Sequence, residues 1–259
     1  ENVSSLPAAA QASIAAVLGR DDPSYHAVAQ GRGLSTKNTK HDLSADFTAK
    51  GVQVQTGNSR WGLSLSSYGY GDRLRTVKSV APDAMDNRVE YRRGAVTEWY
   101  VNGPMGLEQG FTLSRPPYKS GKGPLTMGLK LSGDLAASVE ARSGGLTLTR
   151  DGQAARTYSG LTAFDAGGRQ LQAWLEAKDG RLLLRVDDAD AVYPIMVDPY
   201  IQTAELTASD GAAYDEFGYS VAISGDTLVV GAPFAKIGNN YEQGAAYVFV
   251  KSENGWVSM

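Results

Sequence analysis

The stretch DEFGYSVAISGDTLVVGAP, Asp215–Pro233, holds two short apolar runs in a frame of turn residues. Phe217-Gly218 opens it, Ser224-Gly225-Asp226 divides it and Gly231-Ala232-Pro233 closes it. Runs of ~4–8 residues rich in Val, Ile and Leu between such breakers read as strands joined by a tight turn. Working outward, the chain from 199 to 259 shows apolar runs centred on Leu206, Val221, Val229 and Val248, again with turn residues between them. The spacing predicts four strands in this region.

On those residues the segment resembles an FG-GAP repeat, the blade unit of integrin-α-type β-propellers and of many bacterial surface proteins. GAAYVFVKSENGW, residues 244–256, is similar to the outer-strand segment that follows Gly-Ala-Pro in the bacterial versions. The resemblance implies packing roles: Phe217 between neighbouring blades, Gly218 and Gly231 where backbones approach closely, Ala232 in the inner strand, and Pro233 at its end. Integrin-type blades commonly carry a calcium loop, D-x-D-x-D-G-x-x-D. The corresponding turn here, Ser224-Gly225-Asp226, supplies one carboxylate, whereas calcium takes about six to eight oxygens. No cofactor is therefore expected, and calcium is unsupported by the repeat loop. Propellers close with ~4–8 blades, and one blade cannot bury both its faces. The expectation is a front piece of a longer protein, with NGWVSM (254–259) leading into the next blade, or a blade completed by another chain.

Upstream the period is two. Leu43, Ala45 and Phe47 alternate with polar residues, Lys50-Gly51 turns the chain, Val52 and Val54 alternate again, and Gly57-Asn58 leads into Trp61, Leu63 and Leu65. The same pattern recurs around Arg93-Gly94 and Asn102-Gly103-Pro104. Short, evenly punctuated strands predict an all-β module over 26–198, a β-sandwich or an open barrel. Pro199, which a central strand accommodates poorly, marks its end. Residues 89–113 and 159–199 are similar to an N-terminal β-module that precedes such repeats in predicted secreted bacterial proteins, a resemblance that implies an architecture and no activity. Ahead of the module, Ser5–Gly19 predicts a short helix, with Gly19 just past its end and Leu6, Ala10, Ile14, Val17 and Leu18 on the face that docks. RDDPSY (20–25) reads as a linker, completing an N-terminal region of 1–25.

Composition narrows the function classes. A net charge of -3 argues against a nucleic-acid partner, and Arg92-Arg93 beside Gly94 reads as a solvated turn. With 0 Cys, thiolate catalysis, disulfides and Cys-based zinc sites are excluded. No run reaches the ~18 apolar residues of a membrane span. The chain opens on Glu1 rather than Met, which fits a removed signal peptide or an engineered start.

Candidate sites are few. Asp187, Asp188 and Asp190 form the densest acidic cluster and the one candidate for a bound cation, although Asp187 and Asp188 point to opposite sides of a continuing strand. His26 and His41 have no spacing that suggests a metal pair or a triad. Glu98 and Glu108 flank the NGPMG turn and could meet across a hairpin as the acid and base of a glycosidase, or bond to backbone or to Arg92 and Arg93. Tyr68 and Tyr70, in a stretch read as a loop, with Trp99 and Tyr100, are candidate ligand contacts. Three readings follow, in this order: a secreted or cell-surface, non-catalytic adhesion or interaction protein with protein or glycan partners; a protein that self-assembles by strand pairing between copies; and a carbohydrate-active enzyme using Glu98 and Glu108.

Overall fold

The computed structural model describes residues 16–57, 59–104, 106–118, 123–133, 136–138, 146–150, 153–178, 181–202, 208, 210–212, 214–224, 227–238, 240–252 and 255–259. The chain divides into two compact units, with the boundary between Thr203 and Ala204.

The first unit is built from β1 (Val28–Gln30), β2 (Gly33–Asn38), β3 (Leu43–Thr48), β4 (Gly51–Thr56), β5 (Ser59–Tyr70), β6 (Arg73–Thr76), β7 (Asp83–Met85), β8 (Arg88–Arg93), β9 (Val96–Gly103), β10 (Gly106–Leu113), β11 (Leu125–Gly133), β12 (Ala136–Ser138), β13 (Leu146–Arg150), β14 (Gln153–Phe164), β15 (Ala173–Lys178), β16 (Arg181–Val186) and β17 (Ile195–Gln202). One sheet runs β1-β2-β3-β4-β5-β11-β16-β15, with β6 also on β5; the other runs β12-β13-β14-β17-β10-β9-β8-β7. Every pairing is antiparallel, and among the described residues neither strand order closes on itself. Alternate residues face inward: Phe47, Val54, Leu63, Leu129 and Leu184 from the first sheet meet Tyr91, Tyr100, Phe111 and Val197 from the second in one hydrophobic core. Of the two architectures the sequence allows, this is the sandwich. Tight turns with Gly at positive φ set the registers. Tyr70 pairs with Arg73 across Gly71 (φ 53), and Arg93 with Val96 across Gly94 (φ 72).

Three expectations are corrected. Tyr68 and Tyr70 lie in β5 and not in a loop. Strand β17 continues through Pro199, across the limit expected at 198. Pro199 lies beyond the last β10 pair, Phe111 with Val197, and opposite a register shift in β14 between Ser159 and Thr162, where a missing N–H breaks no ladder bond. The third correction concerns the N-terminus. Helical residues run from 16 to 21, so Gly19 is inside the helix. Ser5 to Gln11 and the greater part of the predicted helix lie outside the described residues, while Val17 and Leu18 of the expected docking face are exposed. The helix docks by its small residues instead. Asn87 Nδ2 donates to the Ala16 carbonyl at 3.1 Å, and a Cβ on Gly19 would sit 2.4 Å from the Asn102 carbonyl oxygen. The stretch read as a linker is also fixed. Asp22 caps a 3-10 turn, Pro23–Tyr25, and buried Tyr25 gives its carbonyl to Thr36 Oγ1 (2.9 Å) and Asn102 Nδ2 (3.1 Å). Gly19→Ala is accordingly expected to lower stability by roughly 1–3 kcal/mol through overpacking, although Ala is the better helix former. A denaturant melt in which Gly19→Ala is more stable would contradict this docking.

The second unit, Ala204–Met259, contains β18 (Ser220–Ser224), β19 (Thr227–Ala232), β20 (Ala245–Ser252) and β21 (Gly255–Ser258), hydrogen-bonded in that order as one antiparallel sheet. A four-stranded sheet is therefore present among the described residues. The run at Leu206 lies outside the described residues, and the fourth strand is Gly255–Ser258, which folds back on β20 with Ser252 opposite Gly255. Only two residues separate that pair, the spacing of a hairpin.

Candidate functional site

The proposed carboxylate pair is not formed. Glu98 lies on the inner face of β9 beside Tyr100, whereas Glu108 on β10 pairs in register with Val101 and faces outward. Glu98 is 0% exposed and fully engaged. Its Oε1 accepts from Leu65 N (3.0 Å), Tyr100 OH (2.9 Å) and Gln109 Nε2 (3.1 Å), and its Oε2 from Arg93 Nη1 (2.7 Å). The strand map explains the arrangement. β4 leaves β5 at Trp61 and β6 joins it only at Ser67. Across that gap the Leu63 carbonyl and the Leu65 N–H would be buried without ladder partners. Tyr100 OH and Gln109 Nε2 donate to the Leu63 carbonyl at 3.0 and 3.1 Å, and Glu98 accepts from Leu65. Side chains of the facing sheet thus stand in for a missing strand. Arg93, read from sequence as part of a solvated turn, is drawn inward by this carboxylate, while Arg92 stays exposed and pairs with Asp83 and Glu90.

On the outer face Glu108 has a different acidic neighbour, Asp198 on β17. Burial, then the charge of Asp198 and a hydrogen bond to it, raise Glu108 to about 8, against the opposing pull of Arg88. Burial raises Asp198 to about 6. Both carboxyls are thus held above the ordinary carboxylate range, burial being the largest cause for each. Beside them the Arg88 guanidinium stacks over the Trp99 ring at 4.6 Å, and Trp99 Nε1 donates to Thr112 Oγ1 at 3.2 Å.

The aromatic contact surface expected at Tyr68, Tyr70, Trp99 and Tyr100 is not formed either. Tyr100 and Trp99 are 3% and 5% exposed. Tyr68 is half-buried against the core. Tyr70 is buried, with its hydroxyl donating to Asp188 Oδ2 at 2.8 Å, where the Tyr193 hydroxyl also donates at 2.7 Å. Burial and that carboxylate push the Tyr70 hydroxyl up to about 12 and raise Tyr193 as well. Asp188 is thereby occupied, and the Asp187 carboxylate accepts from the Ala189 N–H. No three acidic or histidine side chains converge as metal ligands among the described residues. His26 and His41 are each bonded through Nε2 to a main-chain carbonyl, of Arg20 and Pro104, both at 2.8 Å.

In the second unit the motif residues pack within one sheet. The Phe217 ring meets the edges of Tyr247 (5.3 Å) and Phe249 (6.2 Å). Gly218, at φ 95, donates its N–H to the Gly231 carbonyl at 3.0 Å. A Cβ on Gly231 would meet Ser220 Oγ at 2.4 Å, Ala232 is buried, and Pro233 follows the last residue of β19. Gly225 and Asp226, on which the calcium reading turned, lie outside the described residues. The most exposed aromatics are here. Tyr214, Tyr219 and Tyr241 are 92%, 71% and 76% exposed. Sequence reasoning passed over them, although each sits close to Gly, Asp, Asn or Glu, the company of a loop.

No helix among the described residues is long and apolar enough to cross a membrane. No curated protein and no solved structure matches the chain. Residues 200–249, a span that takes in β18, β19 and the greater part of β20 but not β21, match the FG-GAP repeat family.

Proposed function

We infer that the chain is a non-catalytic interaction protein that works at the cell surface or outside the cell, with adhesion to other proteins as its role. The observation that carries this is the FG-GAP match over 200–249, which takes in three of the four strands of a folded sheet and the exposed tyrosines beside them. FG-GAP repeats are propeller-related units of extracellular and surface proteins that make protein interactions. The sandwich is the carrier: its buried carboxylate, Glu98, bonds to backbone and arginine, which is a structural use of the residue. A second reading, self-assembly, draws on β18 and β21 at the sheet's two edges and on half-exposed Val229.

Protease added to intact cells that naturally produce the protein tests the location. The chain is expected to be cleaved or found in the medium while a cytosolic marker survives. A chain protected until the cells are lysed would overturn the reading. For the second reading, sedimentation of the purified chain is expected to show mass rising with concentration; a monomer over the full range would remove it.

A further inference from the structure

The exposed tyrosines are gathered by the topology. Ser220 at the start of β18 pairs with Gly231 near the end of β19, and Ala232 pairs with Ala245 at the start of β20. The segments flanking these residues, 210–219 and 233–244, therefore emerge at the same end of the sheet. They are tied together there. Phe234 N donates to the Asp215 carbonyl (3.4 Å), Gly244 N to the Ala235 carbonyl (3.0 Å), and Tyr247 OH to Asp210 Oδ1 (2.8 Å).

Two features suggest that this rim presents side chains and does not merely turn the chain. Tyr214, Glu216 and Glu242 all adopt positive φ, at 74, 53 and 56, an uncommon state for residues other than Gly, and all three are exposed. The rim also carries its own model ligand. Lys236 Nζ lies 4.3 Å from the centroid of the Tyr241 ring, so a cation already occupies one tyrosine face. The charge balance is acidic: Asp210, Glu216 and Glu242 are exposed, with Lys236 as their one exposed cationic counterpart among the described residues 210–244.

We propose that this rim docks a basic, lysine-bearing segment of a partner protein, whose ammonium groups take the faces of Tyr214, Tyr219 and Tyr241 and pair with Glu216 and Glu242. It rests on the reading of the FG-GAP sheet as an interaction element and adds the chemistry of the partner. Aromatic faces paired with carboxylates favour a desolvated cation over a neutral ligand, and Lys236 competes for the site it occupies. That competition makes a distinctive expectation: removing Lys236 strengthens binding.

The test is fluorescence anisotropy of the full chain with a labelled decapeptide of alternating Lys and Gly, and with its Glu-Gly counterpart as control. Saturable binding of the Lys peptide alone is expected, weakened by salt. Tyr241→Ala and Tyr219→Ala are expected to weaken it about threefold to fivefold each, Glu216→Gln with Glu242→Gln by a similar factor, and Lys236→Ala to tighten it about twofold to threefold. Asp83→Asn, on the sandwich, is expected to change nothing. No saturable binding, an unchanged affinity in the tyrosine variants, or an equal loss in Asp83→Asn would overturn the proposal. So would preferential binding of a neutral oligosaccharide, or self-association abolished by the same variants, which would give the rim to a glycan or to a second copy. Failure here with a protease-accessible chain on intact cells would leave the surface role standing and remove only the basic partner.

Discussion

Glu98→Ala is expected to destabilise the protein by about 3–5 kcal/mol, because it leaves the Arg93 guanidinium buried without its counter-charge. The Arg93 and Glu98 side chains are 5% and 0% exposed, so water cannot take over the lost bond. The substitution also removes the acceptor of the Leu65 N–H, the group that neither β4 nor β6 reaches. Tyr100 OH and Gln109 Nε2 are less affected, since both keep the Leu63 carbonyl. Replacing the pair together, Arg93→Met with Glu98→Leu, is expected to cost less than Glu98→Ala alone, because no unpaired charge is left, and of the groups that lose a partner the Lys78 carbonyl is exposed while the Leu65 N–H is buried. Urea titrations of the wild type and the two variants decide it. Equal stability of Glu98→Ala and wild type would mean that the carboxylate is dispensable to the core, and would return it to consideration as a functional group.

Between pH 5 and pH 8 the wild-type protein is expected to lose stability through Glu108, the second large effect. In the folded state Glu108 is raised from 4.5 to about 8, so between those values the folded chain binds more protons than the unfolded one. Unfolding then releases protons, and stability falls as pH rises through this window; the contribution is complete below about 4.5 and gone above about 8. Asp198, raised from 3.8 to about 6, adds to the same trend at the acidic end. Glu108→Gln keeps a donor for Asp198 without the ionisation. It is expected to flatten the profile and to be more stable than wild type at pH 8 by about 1–3 kcal/mol, allowing for solvent access to the pair. Thermal melts across the range check this, and parallel profiles for the two proteins would contradict it. The Tyr70 hydroxyl, raised to about 12, does not titrate there.

The strands were legible because period-two alternation and Gly turns are local signals. Ala45, Phe47, Val52, Val54, Leu63 and Leu65 all face the core as their alternation requires. The roles of the polar and aromatic residues were not legible, because they depend on which strands neighbour which. Nothing local to Glu98 tells that β5, paired with β11 on one side, lacks a neighbour on its other side between Trp61 and Ser67. Nor does alternation reveal that the outer face carrying Trp99 is itself buried, or that Glu108 faces Asp198, 90 residues along the chain, as the difference 198 − 108 gives. Pro199 misled for a related reason: its missing donor matters only where the side it would face is paired, and Pro199 lies past the last β10 pair and opposite a register shift in β14. The blade motif was recognisable because Phe217, Gly218, Gly231, Ala232 and Pro233 work within a short span. The rim tyrosines needed only attention to loops, where binding residues concentrate.

The central claim is that the FG-GAP sheet makes the partner contacts and the sandwich carries it. The most direct measurement is photo-cross-linking on intact producing cells, with benzoylphenylalanine in place of Tyr241 on the rim or of Met85, 72% exposed on β7 of the sandwich. The expected result is a discrete adduct between the chain and another surface protein from position 241, with none from position 85. Adducts from position 85 alone would contradict the account and move the contact surface to the sandwich.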